Sequence, residues 1–268
     1  MKRLYVSVDI EGICGIADWQ ETRIDDAQGA YFRREMTLEA AALCRAACDA
    51  GVDDIVVKDA HDSGRSIDPS LLPEQASLIR AWTRDPYSMM AGLDETFTGA
   101  CYVGYHSAAG SDGNPLAHTL NTNSQRIRVN GLLASEFLLN AYTASSFGVA
   151  SLVLAGDAAL CESARQIAPD IRAGAVFDGI GAATRSVHPA RAHREIADAV
   201  SDALAADPAR LIVDLPDRFD VSVEFVSTRH AMARRASFYP GASRDGACGV
   251  VFSALRWLDV LAFLSFVL

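Results

Sequence analysis

The sequence predicts an α/β fold: a largely parallel sheet with helices on both faces, and a second, interwoven α/β portion. Three observations carry this. Residues 4–8 (LYVSV) and 54–59 (DIVVKD) are short apolar runs rich in β-branched residues, and the stretch between them is rich in Ala, Leu and Arg, lacks Pro, and is closed by Gly51. Strand, helix and strand in that order imply a right-handed crossover and a parallel pair. The rhythm returns at residues 101–104 (CYVG) and 151–156 (SLVLAG), and the later runs at 221–226 and 248–252, after a turn at Pro216, read as antiparallel partners. No repeat, linker or low-complexity segment separates the halves, so a second subdomain is expected to be intertwined with the first.

Taken in order, the first strand ends in Asp9 and Glu11, and Gly12 lets the chain turn close to whatever binds there. Residues 13–29 lack periodicity and read as a loop anchored by Trp19 and covering the site. The helix at 31–50 stops at Gly51, and His61 follows the second strand. Pro69 and Pro73 punctuate a loop before a short strand at 77–79 and a helical turn at 88–93. His106 comes just past the strand CYVG, and the long Gly- and Pro-bearing loop after it delivers His118. A strand at 126–129, the Asn130-Gly131 turn and a helix at 135–147 place Glu136 in a first helical turn. Next come a strand ending before Asp157, helices at 158–167 and 189–206, and strands at 173–177 and 211–215. Pro189 suits the first turn of its helix.

Composition narrows the function classes. The 268 residues are 50% apolar, enough for a large core, and the net charge of −10 repels phosphate backbones and anionic membrane surfaces, so neither nucleic acid nor membrane is an expected partner. Lys2 and Arg3 precede an apolar run that Asp9 and Glu11 interrupt before a secretory core is complete, which predicts a cytoplasmic protein. The six cysteines form no CxxC pair, arguing against a zinc knuckle or a redox motif. Residues 257–268 (WLDVLAFLSFVL) are very apolar but fall short of the ~20 residues that span a bilayer, so a buried helix or a subunit contact is expected. The segment GIGAAT, with Gly179, Gly181 and Ala183, mimics a dinucleotide fingerprint and is discounted as a lone pattern late in the chain. His188, His193 and His230 read as surface residues.

Asp9, Glu11, His61 and His106 share one property: each lies at the C-terminal end of a predicted strand, and in an open parallel sheet those ends line a common crevice. Paired carboxylates beside an apolar run are tolerable mainly when a cation or a shared proton neutralises them. Glu136 can reach the same crevice. Two His and three carboxylates offer mixed N and O ligation suited to zinc, with manganese or another first-row metal as a substitute. A carboxylate such as Asp9 can bridge two ions ~3.5–4 Å apart. His118, on its loop, could serve as general base, as general acid or as a group polarising a carbonyl.

The segments VSVDIEGICG, VVKDAH, VGYHSAAG, AHT, RVNGLLASEFLLNAY and LVLAGD together resemble the M55 family of D-aminopeptidases over nearly the whole chain. The resemblance implies one catalytic unit over residues 1–268 and a dinuclear zinc site. In that site Asp9 bridges, Glu11 and His61 hold one ion, His106 and Glu136 hold the other, and His118 is the catalytic residue. It also implies hydrolysis of N-terminal residues from short peptides, with D-stereospecificity, in a homo-oligomer arranged as a ring-like decamer. Two departures stand out: Ser135 replaces a Gly frequent in the family, and residues 121–126 (NTNSQR) form an idiosyncratic polar loop. The alternatives are a two-metal nuclease, against which the acidic charge counts, and a non-catalytic metal- or peptide-binding protein linked to peptide transport.

Overall fold

The computed structural model describes residues 2–268. In chain order the elements are β1 (Arg3–Val8), α1 (Trp19–Thr22), α2 (Gly29–Asp49), β2 (Asp54–Asp59), β3 (Ala76–Ile79), β4 (Gly99–Tyr105), β5 (Ser124–Val129), β6 (Leu132–Leu133), α3 (Glu136–Ser146), β7 (Ala150–Asp157), α4 (Ala158–Ala164) and β8 (Arg172–Ile180). They continue with β9 (Ala183–Ser186), α5 (Pro189–Ala205), β10 (Phe219–Phe225), α6 (His230–Ala236), β11 (Ser243–Asp245), β12 (Gly249–Ala254) and α7 (Trp257–Val267). A seven-stranded sheet has the order β3-β2-β1-β4-β7-β8-β9, and a five-stranded sheet the order β11-β12-β10-β5-β6. The first is parallel from β3 to β8, with β9 antiparallel at its edge. The second is antiparallel throughout, and its strands come from two distant stretches of chain.

Strand β1 sits between β2 and β4: the chain leaves β1 outward through β2 and β3, then returns to β4 on the other side. That reversal is a topological switch point, where the loops beyond neighbouring strands diverge and open a crevice. Helix α2 covers one sheet face because Met36, Ala40, Leu43, Cys44 and Ala47 recur at helical spacing and are all buried. It packs there beside α5, whose Ala192, Ile196, Val200 and Ala203 are buried in the same way. Burying a side chain the size of Leu43 contributes about 1.5–3 kcal/mol. The opposite face is covered by α3, α4 and the second sheet, joined in one apolar cluster with Phe137, Tyr142, Phe219 and Trp257 at its aromatic centre.

Helix α7 belongs to this cluster, burying Trp257, Val260, Leu261, Phe263 and Leu264 while Phe266 stays 70% exposed. The antiparallel pairing of β10 with β12 agrees with the sequence. Two expectations do not hold. Residues 211–215 form no strand: Pro208–Leu211 is a 3-10 turn capped by Asp207, and Pro216 follows closely, so the run is fenced before it can enter a ladder. GIGAAT, discounted as a fingerprint, is indeed the turn of the β8–β9 hairpin, with Gly181 at a φ of +60°, and opens no helix. His193 is not simply a surface residue, because its Nε2 lies 2.7 Å from the buried Glu35 carboxylate of α2.

Candidate metal centre

The crevice at the switch point holds every one of the site residues expected from the sequence. Asp9 follows β1, His61 follows β2 by two residues, and His106 follows β4 directly. Two glycines let these strand ends come so close. Gly12 donates its N–H to the Gly104 carbonyl at 2.8 Å, and a Cβ at Gly12 would lie 1.8 Å from the Tyr105 carbonyl oxygen. Gly104 has a φ of +70°, and its own Cβ would meet the Asp9 carbonyl at 2.1 Å. Gly12 therefore serves the backbone crossing under the site, where the sequence had suggested room for a bound group.

Glu136 and His118 reach the crevice from the side of the second sheet. Ser135 caps α3, its hydroxyl accepting the Leu138 N–H, which starts the helix at Glu136 and aims that carboxylate inward. The serine that departs from the family pattern thus has a local role. The loop carrying His118 is fixed by Asn114, whose amide donates to the Glu11 carbonyl at 2.9 Å and whose oxygen accepts the Leu116 N–H. Asp157, buried at the end of β7, accepts from the Ser107 amide and hydroxyl and so holds the segment next to His106. Sequence reasoning passed over Asn114 and Asp157. Their signals were a strand-end acid in SLVLAGD and an Asn before Pro115 in the long loop.

Two clusters of ligand-type atoms result, Asp9 with Glu11 and His61, and His106 with His118 and Glu136, the atoms of each lying within 4.8 Å of one another. Asp9 joins them. Its Oδ1 is 3.3 Å from His61 Nδ1, and its Oδ2 is 3.5 Å from His106 Nε2. His61 Nδ1 also faces Glu11 Oε2 at 3.1 Å, and His106 Nε2 faces Glu136 Oε2 at 3.3 Å.

The outer ring nitrogens assign the tautomers. His61 Nε2 lies 3.0 Å from the Thr22 carbonyl, His106 Nδ1 lies 3.0 Å from the Ser107 carbonyl, and His118 Nδ1 lies 2.9 Å from the Leu116 carbonyl. A carbonyl only accepts, so each of these nitrogens carries a proton, and the other nitrogen of a neutral ring turns its lone pair toward carboxylate oxygens. Lone pair against carboxylate is repulsive unless a proton or a metal ion lies between them.

The electrostatics say the same. Burial pushes the Asp9 carboxyl up, but the imidazoles of His106 and His61 close beside it reverse this and hold it well below the usual carboxylate range. Burial lowers His61 and His106, yet Glu11 beside the first and Glu136 beside the second raise both well above an ordinary imidazole. A proton retained so tightly marks a place where a cation is favoured. Glu11 Oε2, His106 Nε2 and Glu136 Oε2 are buried without a hydrogen-bond partner among the described residues, because their close neighbours are not in donor geometry. Metal ligation accounts for all three orphans, and the donor set, imidazole nitrogens with carboxylate oxygens, suits zinc.

A cavity of about 700 Å³ opens over Asp9, Glu11, His61, His118 and Glu136. The segment after β1 contributes Trp19, Thr22, Arg23 and Ile24 to its wall, with α1 inside what the sequence suggested was plain loop. Trp19 stands edge-on to the His118 ring at 5.2 Å, and His118 stacks on His106 at 4.4 Å, so the expected anchor is packed on the site itself.

The comparisons with known proteins agree with this geometry. The family model for M55 peptidases, described as D-aminopeptidase, matches residues 1–266. The D-aminopeptidase of Bacillus subtilis (strain 168) is 31% identical over 261 residues, spanning 96% of this chain and 93% of that protein. Among solved structures, "Zn-dependent D-aminopeptidase DppA from Bacillus subtilis, a self-compartmentalizing protease" superposes with a TM-score of 0.90 at 29% identity, covering 99% of this chain and 96% of that one. With a family model matching residues 1–266 and a relative 31% identical across 96% of the chain, the chain belongs to the M55 family of D-aminopeptidases.

Proposed function

We propose that the protein is a zinc-dependent aminopeptidase with a dinuclear site, removing N-terminal residues from short peptides with preference for the D-configuration, and that the whole chain forms one catalytic unit. The observation that carries this is Asp9, whose two carboxylate oxygens face one imidazole lone pair each. Asp9 would be shared by both ions, with Glu11 and His61 holding one and His106 and Glu136 the other. Two zinc ions held there supply polarisation of a peptide carbonyl and acidification of a water molecule.

His118 is assigned to proton transfer. Glu136 turns its orphan Oε2 to His106, while its Oε1 accepts the Leu120 N–H at 2.7 Å and is the oxygen nearest His118, at 3.9 Å. His118 thus faces the oxygen that is already committed, off the ligand pair. With Nδ1 held by the Leu116 carbonyl, Nε2 is the atom free to take a proton and return it to the leaving amine. Trp19 and Ile24 in the cavity wall limit water around the reacting bond. The name of the Bacillus subtilis relative, with its zinc and its D-aminopeptidase activity, supports the reading, and family membership leaves the two-metal nuclease without support.

The test is an assay of purified, zinc-loaded protein on paired D- and L-aminoacyl peptides, with a chelator control. Hydrolysis of the D-peptide that stops on chelation and returns with zinc is expected. Undiminished hydrolysis after metal removal, confirmed by metal analysis, rejects the dinuclear mechanism.

A further inference from the structure

The polar residues on the buried floor of the cavity have assigned partners, with one exception. Asp9, Glu11, His61 and Glu136 belong to the metal clusters, and the Thr22 hydroxyl is spent on the Trp19 carbonyl. Asn140 remains. It lies on α3 four residues after Glu136, hence on the same helical face one turn along, is only 4% exposed, and lines the cavity.

The orientation of its amide follows from a one-way chain of hydrogen bonds. Ser7 Oγ donates to the Met89 carbonyl at 3.0 Å, and that acceptor cannot donate in return. With its proton used, Ser7 Oγ must accept from Tyr105 Oη, at 2.7 Å. Tyr105 Oη has then used its own proton and must accept from Asn140, 2.8 Å away, so the atom turned toward Tyr105 is Nδ2. The same Nδ2 lies 3.4 Å from Met89 Sδ. No donor within the described residues reaches Asn140 Oδ1. With Nδ2 turned to Tyr105, the unpartnered Oδ1 is left for the cavity that Asn140 lines, where an incoming donor can meet it.

We infer that Asn140 Oδ1 accepts a hydrogen bond from the α-amino group of the substrate's first residue, making Asn140 a determinant of specificity for a free N-terminus. The inference rests on the aminopeptidase reading above. An enzyme of that kind binds a free amine, and an acceptor outside the metal clusters gives its N–H groups a partner. Asn140 is a neutral acceptor one helical turn from Glu136, its amide fixed by the hydrogen-bond chain through Tyr105 and Ser7. An amine keeps N–H donors even while its lone pair is engaged, so ligation and this hydrogen bond are compatible.

The test measures binding of the hydroxamates of D-alanine and propionic acid, which differ only in the α-amino group, to the zinc-loaded protein by calorimetry. Peptide kcat and KM, zinc content and Tm are followed alongside. The parent protein is expected to prefer the amino compound. In Asn140→Leu that preference should fall about ten- to a hundredfold, the worth of a hydrogen bond to a charged group, with propionohydroxamate binding and zinc content unchanged. Tyr105→Phe keeps the side chain of Asn140 and releases its amide together with the Ser7 hydroxyl, so it should lose part of the preference and gives the answer if Asn140→Leu does not fold. A preference retained in both variants, or equal weakening of both hydroxamates, overturns the inference while leaving the enzyme's activity established. A parent protein that neither cleaves peptides nor distinguishes the two compounds removes the aminopeptidase reading and this inference together.

Discussion

At the scale of single residues, the site works through pairs of atoms on one side chain that do different things. Asp9 offers one oxygen to each cluster, so Asp9→Ala should lose both ions, whereas Glu136→Ala should lose mainly one and recover part of its activity in added zinc. Metal analysis by mass spectrometry reads both, and a full complement in Asp9→Ala would show that it does not bridge. His118 is the position at which ligation and proton transfer can be tested apart. Its replacement by Ala should leave zinc content intact and lower turnover by about 10² to 10⁴, the usual contribution of a positioned acid or base. A zinc-depleted His118→Ala would make it a ligand instead.

At the scale of elements, helix α2 carries a second group of acids behind the site. Glu39 is fully buried, accepts the Cys14 N–H at 2.8 Å with one oxygen, and has no partner for the other among the described residues. Burial pushes its carboxyl up to about 8, against the Cys14 hydrogen bond and with help from the Glu35 charge. Between the ordinary carboxyl value of 4.5 and about 8 the folded chain therefore holds a proton that the unfolded chain has released. Stability should fall as pH rises across that window, because folding there requires proton uptake. Glu39→Gln, which mimics the protonated acid, should flatten the fall and raise Tm at pH 8, as measured by thermal unfolding from pH 5 to 8. An unchanged pH profile would place the proton elsewhere.

At the scale of the whole molecule, apolar surface collects around the second sheet's helices. Phe238, Leu255 and Phe266 are 75%, 73% and 70% exposed, and the Phe266 ring lies 6.0 Å from that of Tyr239, next in sequence to Phe238. A lone chain would leave these rings in water. The Bacillus subtilis relative is described as self-compartmentalizing, and the exposed rings make self-association of this chain the expected outcome. Sedimentation should show a large assembly, and Phe238→Asp with Phe266→Asp should reduce its size with little loss of zinc. A stable monomer at micromolar concentration rejects the assembly and leaves the metal site untouched. Among the described residues no helix is long and apolar enough to cross a membrane, so the apolar α7 is accounted for by core burial on one face and this exposed edge on the other.

The local alternation of apolar runs and helix stops was enough to determine the parallel sheet, because each strand–helix–strand unit has one allowed handedness. It was also enough to place Asp9, Glu11, His61 and His106, since residues just past parallel strands share one edge whatever the loops do. Pattern put Glu136 at a helix start within reach of the crevice and His118 only on a long loop, for both come from the second sheet's side. Only three-dimensional packing brings β5 and β10, far apart in sequence, into one ladder that delivers α3 to the crevice. The Pro-fenced run at 211–215 misled because apolar composition names a buried segment without saying whether a strand partner exists. Tertiary structure alone decided that Gly12 serves a backbone crossing, that Asp157 and Asn114 hold the ligand loops, and that the Asn140 amide presents its oxygen to the cavity. Each depends on atoms brought together from distant parts of the chain, and a hydrogen-bond direction is set by its whole chain of partners.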